Sequence, residues 1–239
     1  MGKLDSRVAL ITGASSGIGR AAARLFAHEG ADLALVARNT AALEALADEV
    51  HAYGRRAVLA TVDLAAGAAV RSAVEAAVRE FGRLDVALNV AGTNLPRRAL
   101  TVLDPADWER LIATNLTAAY HVTQVVLPQM RRQGDGLIVY VSSYAVQRPD
   151  VSGVAYQASK HGLVGLAHGT MEEERANGIR TTMLFPGLTE TPLLEQRPTP
   201  TPPEVVAKAL QPEDVAEACL FVATLPPRVR VPELAIVPS

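Results

Sequence analysis

The sequence predicts an α/β protein built on a doubly wound, mostly parallel sheet with helices on both faces. Three observations carry this. Short β-branched and aliphatic runs alternate with segments of helical periodicity along the whole chain, the pattern of repeated strand–helix–strand units with right-handed crossovers. Several of the runs are apolar on both faces instead of alternating, as strands sandwiched between two helical layers are. The first run, Val8 to Thr12, leads straight into a glycine-rich turn and a helix pattern. At 239 residues the chain is long enough for a sizeable core and reads as one domain over 1–239, with a substrate lid around 188–210.

Val8 to Thr12 is followed by Gly13-Ala-Ser-Ser-Gly17-Ile-Gly19. Strand, glycines and helix start, in that order, offer backbone N–H groups and a helix N-terminus to a phosphate, with no side chains in the way. Asp32 to Ala37 is the second strand and ends in Ala37-Arg38-Asn39. In a dinucleotide fold this end meets the adenosine ribose, where an acid selects a 2′-hydroxyl and an arginine accommodates a 2′-phosphate. Arg38 with no acid beside it therefore favours NADP (NADPH) over NAD.

Ala41 to Tyr53 has helical spacing, Ala57 to Val62 is the third strand ending at Asp63-Leu64, and Val70 to Phe81 is the next helix. Asp63 also suits an N-cap for that helix. Leu84 to Val90 is the fourth strand and runs into Asn89-Val90-Ala91-Gly92. Thr93 to Leu103 is a loop whose Arg97-Arg98 pair either meets an anionic substrate or is solvated. Asp107 to Met130 is one long helix containing Asn115. The strand Leu137 to Val141 puts Ser143 at its carboxyl end, where open parallel sheets place their ligands.

Tyr156 and Lys160 are four residues apart, so in a helix they share a face. A free phenol has a pKa of about 10, and an adjacent cation favours its ionised form, which brings it toward useful acid/base range. Gly178 to Phe185 is the sixth strand, ending in Pro186-Gly187, and a Pro/Thr-rich connection from Pro198 to Pro203 follows. Glu213 to Thr224 is the last helix and Glu233 to Val237 the last strand.

The arrangement Ser143, twelve residues, Tyr156, three residues, Lys160 resembles the signature of the classical short-chain dehydrogenase/reductase family. So does the spacing Thr-Gly-x-x-x-Gly-x-Gly from Thr12 to Gly19, and Asn89-Val90-Ala91-Gly92 resembles the family's Asn-Asn-Ala-Gly element with Val90 as a departure. The resemblance covers nearly the whole chain and implies a seven-stranded Rossmann fold. It further implies reversible hydride transfer between a nicotinamide and a secondary alcohol or ketone. In that reading Tyr156 is the acid/base, Ser143 hydrogen-bonds the reacting oxygen, and Lys160 lowers the phenol pKa and holds the nicotinamide ribose. Asn115 completes a proton path through a held water. Gly13, Ser15, Ser16, Gly17, Ile18, Gly19, Arg38, Asp63, Leu64, Asn89, Ala91 and Gly92 would bind the adenosine and pyrophosphate side. Pro186, Gly187, Thr189 and Thr191, in a Pro-Gly-x-x-x-Thr element, would bind the nicotinamide side. Family members are commonly tetramers, so a homo-oligomer is expected, with a dimer as the other form.

The substrate is open among hydroxy acids, sugars, steroids and other carbonyl compounds. The chain's ending looks less like that of the acyl-carrier-protein reductases and more like that of dehydrogenases acting on hydroxy acids and small alcohols. Thr93, Asn94, Tyr144, Val146, Gln147 and the segment after Leu188 are the expected lining. Alternatives are a 3-oxoacyl reductase-like enzyme, a non-catalytic NADP sensor, or an enzyme of dehydration or epimerisation, for which the chain is short. A net charge of −2 gives no footprint for nucleic acid, no apolar run reaches membrane-spanning length, and no His/Cys/Asp/Glu cluster has metal spacing. A single cysteine, Cys219, fits a reducing compartment, so cytoplasmic is the expectation. Glu172-Glu-Glu174 reads as a solvated helix face. A myristoylation match at Gly2 and a glycosylation match at Asn115 read as accidental, Asn115 lying inside an apolar helix pattern.

Overall fold

The computed structural model describes residues 2–239. Its strands are β1 (Val8–Thr12), β2 (Asp32–Ala37), β3 (Ala57–Thr61), β4 (Val86–Asn89), β5 (Gly136–Val141), β6 (Ile179–Pro186) and β7 (Glu233–Ile236). The helices are α1 (Gly17–His28), α2 (Thr40–Ala52), α3 (Gly67–Phe81), α4 (Pro105–Ile112), α5 (Ala118–Gln133), α6 (Val154–Glu173), α7 (Pro203–Val206) and α8 (Pro212–Thr224). One seven-stranded sheet results, in the order β3-β2-β1-β4-β5-β6-β7, with every pairing parallel. The chain leaves β1 toward β2 and β3 on one side and returns to β4 on the other, so the switch in winding falls between β1 and β4. That places a crevice above their carboxyl ends.

Period-two alternation divides the inner strands between two cores. In β1, Ala9 and Ile11 pack into the layer formed with α1, α2 and α8, where Phe26, Leu43, Leu46 and Leu220 are buried. Val8 and Leu10 face the opposite layer, made with α3, α5 and α6 around Val74, Val126 and Leu163. Each large side chain so buried contributes about 1.5–3 kcal/mol relative to exposure.

The amino ends of the strands are tied by charge. Asp85, just before β4, accepts from the Val8 N–H and from Arg7, each at 2.8 Å, and from Arg83 at 2.6 and 2.8 Å. Burial opposes its ionisation, but those donors outweigh it and hold the carboxyl below its usual range. Arg7 also reaches Asp135, which pairs with Arg180 at the start of β6. The ionic clamp therefore sits at the end of the sheet opposite the crevice.

Three local expectations are corrected. The long helix begins at Pro105, where Asp104 accepts from the Ala106 N–H at 2.8 Å, and it is interrupted by a π-helical turn over Ala113–Thr117. Asn115 lies in that turn and its side chain is bonded to a neighbouring loop and helix, which fixes the extra residue in place. Asp63 does not cap α3, which starts at Gly67; it accepts from the Ala65 N–H at 3.0 Å in a tight turn instead. Glu174 is not solvated. Its side chain is 2% exposed and pairs with Arg131 and, at 2.8 Å, with Asn177.

Candidate active site

Two adjoining clefts open at the carboxyl ends of the strands. One, of about 370 Å³, lies over the glycine-rich turn and the ends of β2 and β3. The other, of about 410 Å³, lies against the ends of β5 and β6 and the start of α6. Ile18, Val90, Gly92, Thr191 and Leu193 line both, so the two form one continuous groove.

The first cleft suits a dinucleotide. Ser16 stands at the N-cap of α1 in an extended conformation, yet its side chain makes no capping bond, which leaves the helix's first N–H groups without a side-chain acceptor. Gly19 lets α1 press on the turn: a Cβ there would stand 2.3 Å from the Gly13 carbonyl oxygen. Gly17, at φ +48°, faces Thr191, whose Cγ2 would be 3.2 Å from a Cβ. Gly13, Ser15, Ser16, Arg38, Asp63, Leu64 and Ala91 complete this lining, with Arg38 exposed at its mouth. Asn39 takes a different role and caps α2 by accepting from the Ala42 N–H at 3.1 Å.

The second cleft brings together Ser143, Tyr156, Lys160, Pro186, Gly187 and Thr189. Ser143 follows β5 and accepts from the Ala145 N–H at 3.2 Å. Tyr156 and Lys160 share the inner face of α6, with Nζ 5.8 Å from the phenol ring centroid. Lys160 is 4% exposed and donates to the Val141 carbonyl at 2.9 Å. Gly92 lies against it, because a Cβ there would be 3.3 Å from Nζ and 3.5 Å from Asn115 Oδ1.

The electrostatics differ from expectation in sign. Burial pushes the Tyr156 phenol above its ordinary value and Asp150 pushes the same way, while Ser143, Arg98 and Arg197 draw it back. Lys160 is not among the main influences on it, and the two side chains share no hydrogen bond. Burial alone lowers the lysine to about 8, and its bond to Val141 holds the ammonium beside the ring, away from any bond to the phenol.

Asn115 and Asn89 line neither cleft; they border a small adjoining void with Thr12, Leu64 and Ala91. Asn115 accepts from the Thr93 N–H at 2.8 Å and donates to Thr93 O and Ser159 Oγ, each at 3.0 Å. Ser159 Oγ donates in turn to Tyr156 O at 2.8 Å. Asn115 thus joins the loop after β4 to the turn of α6 that carries the tyrosine. Asn89 is 5% exposed, and neither end of its amide has a partner among the described residues.

On the substrate side, Asn94, Tyr144 and the segment from Leu188 line the cleft as expected, whereas Thr93 lines the first cleft and Val146 and Gln147 line neither. The Arg97-Arg98 pair separates: Arg97 is exposed and Arg98 is 8% exposed within the cleft wall. Arg148 and Arg197 also line it, and nothing in the sequence spacing distinguishes a cleft arginine from a solvated one.

Comparison with known proteins agrees with this geometry. A family profile described as short chain dehydrogenase matches residues 7–201. A 3-oxoacyl-[acyl-carrier-protein] reductase from Thermotoga maritima is 33% identical over 93% of this chain and 92% of its own length. A metagenomic short-chain oxidoreductase solved in complex with NADP is 32% identical with a TM-score of 0.86, each chain covered to 99%. Carveol dehydrogenase from Mycobacterium avium, solved with NAD, is 27% identical with a TM-score of 0.92, covering 99% of this chain and 98% of its own. By profile, likeness and fold together, the chain belongs to the classical short-chain dehydrogenase/reductase family of oxidoreductases.

Proposed function

We propose that the protein is an NADP-preferring oxidoreductase that interconverts a secondary alcohol and a ketone. The observation that carries the reading is the meeting of Ser143, Tyr156 and Lys160 where the substrate cleft joins the cleft over the glycine turn. When bound, the nicotinamide supplies or accepts a hydride at its C4. The uncapped N-terminus of α1 and the turn Gly13–Gly19 hold the pyrophosphate, and Asp63, Leu64, Ala91 and Gly92 flank the adenosine half. Arg38 takes the 2′-phosphate, consistent with the lack of an acid at the end of β2. Pro186, Gly187, Thr189 and Thr191 orient the nicotinamide.

In the reducing direction Tyr156 donates its proton to the carbonyl oxygen. A phenol raised by burial keeps that proton at neutral pH and so enters the reducing direction protonated. Ser143 hydrogen-bonds the same oxygen where negative charge develops. Lys160 holds the ribose hydroxyls and brings charge toward the phenol. Asn115 positions the loop and helix around them and serves the proton path; Asn89 supports the floor behind. Residues 188–210 form a lid over the substrate. The assembly is a homo-oligomer, a tetramer or failing that a dimer, working in the cytoplasm. Among the described residues no helix is long and apolar enough to cross a membrane.

The test is a fluorescence titration with NADPH and NADH, followed by turnover on a ketone panel, for the natural protein and Tyr156→Phe. Tighter NADPH binding, turnover, and loss of turnover by about 100-fold or more in Tyr156→Phe with cofactor affinity retained are expected. Near-normal turnover in the variant contradicts the mechanism, and binding without turnover on any carbonyl points to a sensor.

A further inference from the structure

We propose that the substrate bears a carboxylate, bound by Arg98 on the cleft wall that faces Tyr156. The inference rests on the redox reading above and names the substrate class for it. Arg98 is 8% exposed, and its Nε is buried with no hydrogen-bond partner among the described residues. Leaving a buried charged donor unpaired costs stability, and an anion in the cleft that Arg98 lines would offset that cost at its guanidinium.

The side chain is also built in. Gly153 at φ +95° packs on its stem, and a Cβ at that position would stand 2.8 Å from Arg98 Cβ. Gly153 is the N-cap of α6, the helix that carries Tyr156. Asn94 Nδ2 donates to the Ser152 carbonyl at 3.0 Å and ties the loop of Arg98 to the same corner. The base of the Arg98 side chain is thus fixed relative to the acid/base residue by two loops and a helix start.

The surrounding charge asks for an anion. Burial lowers the Arg98 pKa, and Arg197 on the same cleft adds repulsion; Asp150 opposes this through charge at a distance, without a hydrogen bond to Arg98. Arg148 lines the cleft beside them. Arg98 and Arg197 both act on the Tyr156 phenol, which places them within charge reach of the reacting oxygen. A guanidinium's planar fork matches the two oxygens of a carboxylate. The adjacent Asp150 carboxylate favours a monoanion over a phosphate ester, whose charge is about −1.5 to −2.

The substrate is accordingly a small oxo acid, or the matching hydroxy acid, with its carbonyl at Tyr156 and Ser143 and its carboxylate at Arg98. In the reducing direction the carbonyl carbon gains a hydride from reduced nicotinamide and the oxygen gains the Tyr156 proton. The ketone is reduced by two electrons, the nicotinamide is oxidised, and the carboxylate is unchanged.

The experiment compares kcat/KM for 2-oxobutanoate and 3-oxobutanoate with that for their methyl esters, in the natural protein and in Arg98→Met, with dihydroxyacetone phosphate as a phosphate probe. The acid is expected to exceed its ester by about 10- to 100-fold, and Arg98→Met to bring that ratio near one, mainly through KM. A natural protein that favours the esters, favours dihydroxyacetone phosphate, or keeps its ratio in Arg98→Met overturns the proposal while leaving the redox reading intact. Calorimetric binding of malonate to the protein–NADPH complex gives a readout that needs no turnover. Malonate bound by the natural protein and lost in Arg98→Met supports the carboxylate site even where no ketone reacts, the outcome that would sink the redox reading alone; no malonate binding counts against the site. Circular dichroism verifies folding, and should Arg98→Met not fold, Arg98→Lys, which keeps the charge and loses the planar fork, serves in its place with a reduced acid-to-ester ratio expected and an unchanged one contradictory.

Discussion

Lys160 shows what a buried cation costs its own fold. A lysine taken out of water loses hydration energy that its single bond to Val141 O does not restore, and its pKa falls from 10.5 to about 8. The unfolded chain keeps that proton to about pH 10.4. Between about 8 and 10.4 the unfolded state therefore binds more protons and stability rises with pH; below about 8 the folded protein bears the full burden of the buried charge. Tyr156 works oppositely at the top of this range, because a raised phenol makes the folded state fall behind once the unfolded tyrosine ionises above about 10. Lys160→Met should consequently melt higher than the natural protein at pH 7, by up to about 3 kcal/mol, with the gain shrinking toward pH 10 and turnover lost. Lower melting of the variant at pH 7 would refute this. The spacing of Tyr156 and Lys160 was enough to place them together. The direction of the phenol shift was not legible, since it depends on how deeply the helix face is covered. The same holds for Arg98, whose neighbour Arg97 is identical in type and lies in solvent.

At the scale of elements, the sequence was read well wherever a pattern is internal to a segment. The seven strands lie within a residue or two of their apolar runs, and for the five inner ones the reason is that a strand buried on both faces must be apolar throughout. It was read poorly where another element decides. The π-turn at Asn115 answers to Thr93 and Ser159, Glu174 is buried by Arg131 from α5, and Asp63 prefers its own turn to the helix after it. Asp85 belongs to this group as well, since only the fold brings Arg7 and the Val8 N–H to it. Asp85→Ala leaves that buried N–H without its acceptor and should lower stability by about 2–3 kcal/mol in denaturant unfolding near pH 7. The carboxyl's stabilisation is present above its unfolded pKa of about 3.9 and is lost as pH falls through its lower folded value. The gap between variant and natural protein should narrow below about pH 4; a gap independent of pH would mean that the clamp is not ionic.

The whole molecule separates its tasks by the direction of the strands. The amino ends carry the ionic clamp and the carboxyl ends carry the groove, so variants at Asp85 and at Tyr156 test different properties. Trp108, Tyr120 and Val154 on α4, α5 and α6 are 39%, 46% and 40% exposed, apolar surface that the proposed assembly would cover. Light scattering at micromolar concentration should give a mass four times that of the 25.3 kDa chain, or twice for a dimer, whereas a monomer would contradict it. The connection after β6 has its own geometry. The Leu210 N–H donates to Leu188 O at 2.9 Å and the Glu190 N–H to Leu210 O at 2.8 Å, so the segment closes on itself at an isolated bridge just past the end of β6. A loop closed on itself in this way can change length with little entropic penalty, each doubling costing only about 0.6 kcal/mol. The part of the segment past Arg197 is therefore the exchangeable one: sequence can be grafted between Pro198 and Ala209 to alter the proposed lid, while the sheet and Thr191, which packs on Gly17 in the first cleft, remain as they are.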